Sequence, residues 1–331
     1  MSTPYPRLVP INPTSAQSIQ VRRAIISKLE DTTKQFPKWH EVEGGASAFR
    51  RMRKEGTHGF PKPGVDPTAD DLPITTRDGE HIVLRRFRPQ GGVSKGVMIH
   101  FHGGGWVINS AYSQDLYLRR LANELGLTIV SVDYRLAPEH PFPTPNQDCV
   151  DAVLYALSDE GIARLDGGSL MFIAGESAGA HLAVCTVLAL RDTYKVDVAS
   201  RISGLVLGFG QYDLSGTPSM RNYDGGVLVT REDCLTFVQA YLGSESDLKD
   251  PEISPLYARD LSRLPPALFL VGTADLMIDD SVFLASRWDL AGNGTSLKIV
   301  QEAAHGFTWL PLGDVSEEGL GEIFTFVNNF L

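Results

Sequence analysis

The sequence predicts an α/β protein with a mostly parallel β-sheet that is covered by helices on both faces. From residue 81 onward, short apolar segments alternate with longer stretches of helical periodicity, as in parallel strands joined by helices. The segments are apolar at nearly every position, which is typical of strands buried on both faces. The predicted strands span residues 81–87, 96–101, 128–133, 170–174, 204–209, 267–271 and 297–301, and the predicted helices between them span 114–125, 146–158, 178–192, 281–291 and 318–330.

The N-terminal part of the chain has a different character. Helical periodicity predicts two helices, over residues 16–35 and 41–54. A stretch rich in Pro, Gly and Asp follows over residues 58–73, and we interpret it as a linker or long loop.

The alternation of strands and helices is interrupted once, between about residues 211 and 250. A turn-rich run there precedes a predicted helix over residues 231–242. We therefore expect residues 1–60 to form the N-terminal helical part of a cap and residues 61–331 to form the core. The insertion at about 211–250 would complete the cap over the carboxyl ends of the strands, where ligands bind in such sheets.

The composition is that of a globular protein. Of the 331 residues, 43% are hydrophobic and 21% are charged, which excludes a disordered chain. The net charge is −10, and the one basic cluster consists of Arg50, Arg51, Arg53 and Lys54 beside Glu55. We interpret this cluster as a solvated helix face, so nucleic acid is not an expected partner.

Cysteine usage and hydropathy favour a cytoplasmic protein. Cys149, Cys185 and Cys234 lie in apolar surroundings without the spacing of metal ligands, so we expect buried free thiols and no metal site. The N-terminal residues lack the apolar run of a secretory signal. No stretch approaches the roughly 18 consecutive apolar residues of a membrane-spanning helix.

A serine stands at the junction of a predicted strand and a predicted helix. The sequence GESAG, residues 175–179, has the pattern of a nucleophile elbow. Glycines two positions before and after Ser177 remove Cβ atoms that would collide in so sharp a turn. The N-terminus of the following helix supplies positive potential where an alkoxide forms, so Ser177 is the candidate nucleophile.

A glycine run follows the second predicted strand. Gly103, Gly104 and Gly105 present backbone N–H groups that no side chain obstructs. Two of these groups, together with the N–H of Ala178, would form an oxyanion hole with three donors. A phosphate loop would require a Lys-Ser/Thr ending or GxGxxG spacing, and neither is present.

An acid and a base follow the last two predicted strands. Asp275 and His305 both lie just beyond a strand end, and the carboxyl ends of parallel strands meet at one edge of a sheet. The order Ser177, Asp275, His305 is that of an α/β-hydrolase triad. In such a triad the histidine is the general base and the aspartate orients its ring. Asp279 is the alternative acid.

Five motifs occur in order along the chain: HGGGW, DYRLAPEHPFP (residues 133–143), GESAG, DLMIDD and HGF. Together they resemble the hormone-sensitive-lipase family of esterases (bacterial family IV), from about residue 70 to the end. The segment PSMRNYDGGVLVT resembles the cap insertion of that family. The resemblance implies an eight-stranded α/β-hydrolase core, an N-terminal helical cap, no cofactor and hydrolysis of short- to medium-chain acyl esters. It also assigns oxyanion donors to two of Gly103, Gly104 and Gly105.

Three positions depart from the common pattern of this family. Glu176 stands where many members have Asp or Thr, and we expect a structural role because a carboxylate is favoured at a helix N-terminus. Leu276 replaces the common proline after the acid, and Asp280 stands where Glu is frequent. Structural roles are also expected for His102, His181, Asp133, Tyr134, Arg135 and Glu139.

The substrate pocket is the least defined part of this interpretation. The insertion residues named below could line a pocket or form the packing face of the cap, and the sequence does not separate the two. The candidate pocket residues are Trp106 at the end of the glycine motif and Tyr212, Met220 and Tyr223 in the insertion, which also contains Phe237 and Tyr241.

Other functions are compatible with the same motifs. The triad could act on a lactone, carbamate, amide or natural-product ester. A non-catalytic small-molecule receptor on this scaffold is disfavoured because Ser177, Asp275 and His305 are all present. The expected partner is a small-molecule ester, and the strand at 297–301, near the end of the sheet, is a candidate edge for homodimerisation.

Overall fold

The computed structural model describes residues 15–166, 170–223, 225–244 and 246–331. The predictions for residues 1–14, and for positions 224 and 245 of the insertion, lie outside these residues. An eight-stranded sheet forms the centre of the molecule. Its strands are β1 (Asp70–Thr75), β2 (His81–Phe87), β3 (Gly96–Phe101), β4 (Thr128–Asp133), β5 (Leu170–Glu176), β6 (Gly204–Gly208), β7 (Ala267–Ala274) and β8 (Thr295–Ala304).

The strand order in the sheet is β1-β2-β4-β3-β5-β6-β7-β8. Strands β3 to β8 are parallel to one another. Strand β2 runs antiparallel to both of its neighbours, β1 and β4. The predicted mostly parallel sheet of eight strands is therefore confirmed, and the strands from β3 to β8 end at one common edge.

Helices cover both faces of this sheet. Ile99 of β3 packs in one apolar cluster and its neighbour Met98 packs in another, because successive side chains of a strand point to opposite faces. The helices are α1 (Ala16–Thr33), α2 (Gly45–Glu55), α3 (Asp115–Leu125), α4 (Thr144–Leu157), α5 (Asp159–Arg164), α6 (Ala178–Asp192), α7 (Val198–Arg201), α8 (Pro218–Asn222), α9 (Arg231–Leu242), α10 (Ile278–Leu290) and α11 (Asp314–Asn328), with a 3₁₀ turn at Pro255–Tyr257. The cluster that contains Ile99 includes residues of α4, α6 and α10, and the cluster that contains Met98 includes residues of α3 and α11.

Strand β1 was not predicted, and it lies partly in the stretch interpreted as a linker. It contains Pro73, which cannot donate a ladder hydrogen bond and is tolerated because β1 is an edge strand. The missed signal is the alternation in which Leu72 and Ile74 are buried between exposed neighbours. The short helices α5, α7 and α8 were also not predicted, since four to six residues carry little periodicity.

Helix α1 is joined to the core by one buried arginine. The guanidinium of Arg22 donates to the carbonyl oxygen of Gln301 on β8 at 2.9 Å and to carboxylates of Asp314 and Glu318 on α11 at 3.0 and 2.7 Å. This contact places α1 beside the last strand of the sheet order. Homodimerisation along that strand remains a prediction.

The three cysteines are buried free thiols, as predicted. Burial raises the pKa of the Cys149 and Cys234 thiols, so both are poor nucleophiles. No helix within the described ranges has the length and apolar character needed to cross a membrane.

Candidate active site

The turn between β5 and α6 holds Ser177 in a rare backbone conformation. Its φ and ψ are 56° and −122°, a conformation that is sterically costly for a residue with a side chain. A Cβ atom on Gly179 would lie 1.9 Å from the carbonyl oxygen of Phe101, and one on Gly175 would lie 2.4 Å from the backbone of Gly179. The glycines that flank the serine are therefore required by the close approach of β3, β5 and α6.

His305 lies between Ser177 and Asp275. Its Nε2 is 2.9 Å from the Oγ of Ser177, and its Nδ1 is 3.0 Å from the Oδ2 of Asp275. The other oxygen of Asp275 accepts the backbone N–H of Met277 at 2.9 Å, which fixes the carboxylate. Because Asp275 is 2% exposed and His305 is 9% exposed, water competes little for these hydrogen bonds. Strands β7 and β8 run three residues further than predicted, so Asp275 and His305 are the first residues after their strands.

The other two acidic residues of this segment lie in the first turn of α10 and accept backbone N–H groups of the insertion. Asp279 accepts the N–H of Ser219 at 2.7 Å. Asp280 is fully buried and accepts the N–H groups of Tyr212 and Asp213 at 2.6 and 2.8 Å. Burial raises the pKa of the Asp280 carboxyl to about 7. Of the three, Asp275 is the one that contacts His305.

The glycine run lies over the serine. A Cβ on Gly103 would be 3.4 Å from the Cβ of Ser177, and Gly104 has a φ of 120° that L side chains rarely adopt. The carbonyl of Gly103 accepts the side-chain amide of Asn109 at 3.1 Å, which orients this part of the loop. Within the described ranges, no protein atom accepts a hydrogen bond from the N–H of Gly103, Gly104 or Gly105. The donors of this run are thus available to an oxygen of a ligand.

Glu176 is turned into the sheet behind the serine. Its carboxylate accepts the hydroxyl of Tyr117 at 2.9 Å and the Nε2–H of His100 at 2.8 Å. The Nδ1 of His100 lies 3.0 Å from the hydroxyl of Ser131 on β4. These contacts join three strands and α3 and fit the structural role expected for Glu176.

Two further histidines belong to the scaffold around the site. The ring of His102 stacks on Tyr134 at 4.2 Å, and its Nδ1–H donates to the carbonyl of Gly103 at 2.8 Å. His181 donates its Nε2–H to the carbonyl of Ile253 at 2.7 Å. Burial lowers the pKa of His102 to about 3 and that of His181 to about 4, so both rings are neutral at pH 7.

The remaining residues of the DYRLAPEHPFP segment form hydrogen bonds and ion pairs within the fold. Asp133 accepts the N–H of Ala111 at 2.9 Å. Arg135 forms a bidentate ion pair with the buried Asp148, and Glu139 pairs with Arg50. These contacts accord with the structural roles expected from the sequence.

The comparisons with known proteins agree on one family. A family model of the α/β-hydrolase fold matches residues 98–309. The chain is 32% identical over 290 residues to the carboxylic ester hydrolase LipN of Mycobacterium tuberculosis (strain ATCC 25618 / H37Rv), which covers 86% of this chain and 76% of that protein. The chain belongs to the hormone-sensitive-lipase-like esterase family.

Further relatives come from archaea. An arylesterase of Saccharolobus solfataricus is 34% identical over 249 residues, which cover 74% of this chain and 79% of that protein. The solved structure of a hyperthermophilic esterase from Pyrobaculum calidifontis superposes with a TM-score of 0.79 at 27% identity, covering 96% of this chain and 99% of that one. The resemblance found in the motifs is thus confirmed, and the chain is a carboxylic ester hydrolase.

Ser177 and His305 of this esterase open onto a cavity of about 160 Å³. Its wall is mostly apolar and aromatic, and three parts of the chain contribute to it. They are Thr33, Phe36, Pro37, Lys38, Trp39, Phe49, Arg53, His58 and Phe60 before the core, Gln211, Leu228, Val229, Asp233, Cys234 and Phe237 in the insertion, and Gly103, Gly104, Gly105, Trp106, Ile108, Asn109, Gln114, Glu176, Ala178, Phe209, Met277 and Trp309 in the core, beside Ser177 and His305.

The pocket residues suggested by the sequence are placed differently. Trp106 contributes to the cavity wall, and its indole N–H donates to His181 at 3.2 Å. The other three pack within the described fold instead. Tyr212 is fully buried against Phe269, Met220 lies in a small apolar cluster with Met277, and Tyr223 donates its hydroxyl to the carbonyl of Ala274 at 3.1 Å.

The contribution of Arg53 and His58 to the esterase's cavity was not predicted from the sequence. Arg53 was interpreted as part of a solvated helix face, but its side chain is partly buried and lines the cavity. The signal that was available is the position of Phe49, four residues before Arg53 and therefore on the same side of α2. No group of three or more His, Cys, Asp or Glu side chains within the described ranges is arranged to hold a metal ion.

Proposed function

We propose that this protein is a serine carboxylesterase in which Ser177 is the nucleophile, His305 the general base and Asp275 the residue that orients the base. The observation that carries the proposal is the continuous hydrogen-bonded chain from Ser177 Oγ through both nitrogens of His305 to Asp275. Because the hydroxyl must give up its proton as it attacks, an imidazole nitrogen at 2.9 Å is placed to receive it.

The reaction proceeds in two displacements. Ser177 Oγ attacks the ester carbonyl carbon, and its proton passes to Nε2 of His305. The tetrahedral intermediate then breaks its bond to the leaving alcohol, which takes this proton, and an acyl-serine remains. A water molecule next gives a proton to His305 and attacks the acyl carbon, and the proton returns to Ser177 as the carboxylic acid leaves.

The oxyanion of each intermediate would be bound by the N–H groups of Gly103, Gly104 and Ala178. Support comes from the closeness of Gly103 to Ser177, from the N–H groups of the run, which have no acceptor within the described residues, and from the position of Ala178 as the first residue of α6. Preorganised donors of this kind stabilise charge that develops in the transition state. Gly105, whose φ is 57°, is the alternative donor in the run.

We further propose that residues 1–60 and the insertion at about 211–250 act together as a cap over the 61–331 core. Trp39 stacks on Phe237 with ring centres 5.8 Å apart, and Lys38 pairs with Asp233 at 2.7 Å, so the two cap segments contact each other. The apolar wall between them and the triad favours acyl groups of short to medium length.

The proposal is tested by labelling with a fluorophosphonate and locating the modified peptide by mass spectrometry. We expect label on Ser177, and a loss in kcat of about 10⁴- to 10⁶-fold in Ser177→Ala with 4-nitrophenyl esters. Ser200→Ala, on the exposed part of α7, is the matched control and should label as the unsubstituted protein does. Label on another residue, or an active Ser177→Ala, would overturn the assignment.

A further inference from the structure

The cavity contains one cation for which the described chain provides no carboxylate. Arg53 lines the cavity from α2, and no Asp or Glu oxygen of the described residues lies within 4.0 Å of its guanidinium nitrogens. Two other partly buried cations nearby differ in this respect, because Lys38 pairs with Asp233 and Arg50 pairs with Glu139. Buried or partly buried charges are usually paired, so the exception at Arg53 requires a reason.

His58 lies beside Arg53 and accepts a hydrogen bond from its guanidinium. A guanidinium has only donors, so the 3.0 Å contact between its Nη1 and the Nε2 of His58 makes that ring nitrogen the acceptor. The ring proton therefore resides on Nδ1, which is buried and has no partner within the described residues. His58 is 3% exposed and lines the same cavity. Its pKa falls to about 4 through burial and the charge of Arg53, so the ring is neutral at pH 7.

The surroundings of Arg53 and His58 are aromatic. Phe36, Phe49 and Phe60 lie with their ring centres 6.2, 5.6 and 5.5 Å from that of His58, and the guanidinium carbon of Arg53 is 5.7 Å from the ring centre of Phe60. Burial lowers the pKa of Arg53 to about 10, which leaves it charged at neutral pH. Such an environment strengthens the attraction between the cation and an anion that enters the cavity.

We propose that Arg53, with His58 beside it, binds a carboxylate of the substrate, so that the preferred substrate is a monoester of a dicarboxylic acid with its free carboxylate away from the reacting ester. A single positive charge matches a carboxylate with a single charge better than a doubly charged phosphate. The inference rests on the proposed function, since Arg53 lies in the wall of the cavity onto which Ser177 opens.

The test compares mono-4-nitrophenyl esters of glutaric, adipic and pimelic acid with 4-nitrophenyl esters of fatty acids of equal chain length. The readout is the ratio of kcat/KM for the charged ester to that for the neutral one, after subtraction of spontaneous hydrolysis. For at least one chain length we expect this ratio to exceed one, and to fall about 10- to 100-fold in Arg53→Met, the range of a charge-assisted hydrogen bond. Arg53→Lys should keep part of the ratio, because it keeps the charge but not the fork of donors.

Arg51→Met is the matched control, because it removes one positive charge from the exposed side of the same helix. Its ratio should equal that of the unsubstituted protein. Equal ratios in Arg53→Met and the unsubstituted protein would overturn the carboxylate subsite while the proposed esterase stands, as would preference for a phosphate-bearing ester.

A binding measurement separates this inference from the failure of the proposed function. Adipate, which contains no ester, should bind the unsubstituted protein in calorimetry and bind Arg53→Met about 10-fold or more weakly. Binding of adipate without hydrolysis of any ester would contradict the proposed function and support the subsite. Hydrolysis of neutral esters without adipate binding would support the proposed function and contradict the subsite.

Discussion

The carboxylate of Glu176 accepts a hydrogen bond from Nε2 of His100 at 2.8 Å, inside the sheet and directly behind the turn that holds Ser177. Tyr117 donates to the second carboxylate oxygen from α3. Both donors are buried, so neither has water as an alternative acceptor. The residue before the candidate nucleophile thus fastens the end of β5 to β3 and α3.

Substitution of Glu176 should therefore lower the free energy of unfolding and have little effect on kcat. In Glu176→Gln one carboxylate oxygen becomes an NH₂ group, and either His100 or Tyr117 loses its acceptor. We expect the free energy of unfolding, measured in urea, to fall by about 1–3 kcal/mol. The kcat of the folded protein should stay within about tenfold. A large loss of kcat at unchanged stability would instead indicate a direct role in the reaction.

Asparagine substitutions distinguish the two candidate acids. In Asp275→Asn the amide no longer stabilises the imidazolium form of His305 and can hold the wrong ring tautomer, so kcat should fall by about 10³- to 10⁴-fold. Asp279→Asn retains an oxygen that can accept the N–H of Ser219, and its kcat should change less than about threefold. Steady-state kinetics with one 4-nitrophenyl ester measures both. The opposite ranking would assign the acid to Asp279.

The buried Asp280 gives stability a pH dependence. Its pKa is about 7 in the folded protein because burial disfavours the charged form, whereas an unfolded Asp titrates near 3.9. Between these values the folded state retains a proton that the unfolded state has lost, so this group's contribution to the free energy of unfolding falls as pH rises from about 4 to about 7.

Asp280→Asn removes this titration. Urea unfolding over the same pH range should show a smaller decline of stability with pH in the variant than in the unsubstituted protein. Asp279→Asn, on the same helix, controls for the loss of a carboxylate. An unchanged slope in Asp280→Asn would mean that its hydrogen bonds from Tyr212, Asp213 and Thr217 keep the carboxylate charged.

Substitution Gly104→Ala should lower the activity. An added Cβ would lie 2.3 Å from the carbonyl oxygen of Ile108, and the φ of 120° adds strain. The loop must move, and with it a proposed oxyanion donor, so kcat/KM should fall by about 10²- to 10³-fold. Gly321→Ala is the control, since its Cβ meets no atom within 4 Å and lies on the exposed face of α11. This control should gain about 0.5–1 kcal/mol in stability without loss of activity.

The parts of the fold that sequence could predict are those in which one residue type decides the local structure. Ser177 between two glycines specifies its own sharp turn, and the apolar strands specify burial on both faces. Strand β1 escaped prediction because it lies at the sheet edge, where Pro73 is tolerated. The position of Pro73 in the sheet depends on pairing with β2, which local sequence does not encode.

The side chains that line the cavity could likewise not be predicted from local sequence. Tyr212 and Phe237 are both aromatic residues of the insertion, yet Tyr212 is packed against Phe269 while Phe237 lines the cavity beside Trp39. In the sequence, Arg53 resembles a surface arginine because most of the residues around it in the chain are charged. Only the packing of α2 over the core reveals which of these side chains point inward.

The contact of Arg22 with Gln301, Asp314 and Glu318 gives the first helix a mechanical role. Gln301 lies four residues before His305, so a helix near the start of the chain braces the strand that leads to the candidate base from its outer side. A protein truncated so that it begins after α1 would lose these hydrogen bonds together with the segment that links α1 to the cavity wall. Truncation of the N-terminus should therefore weaken the positioning of His305, although that residue lies far away in the sequence.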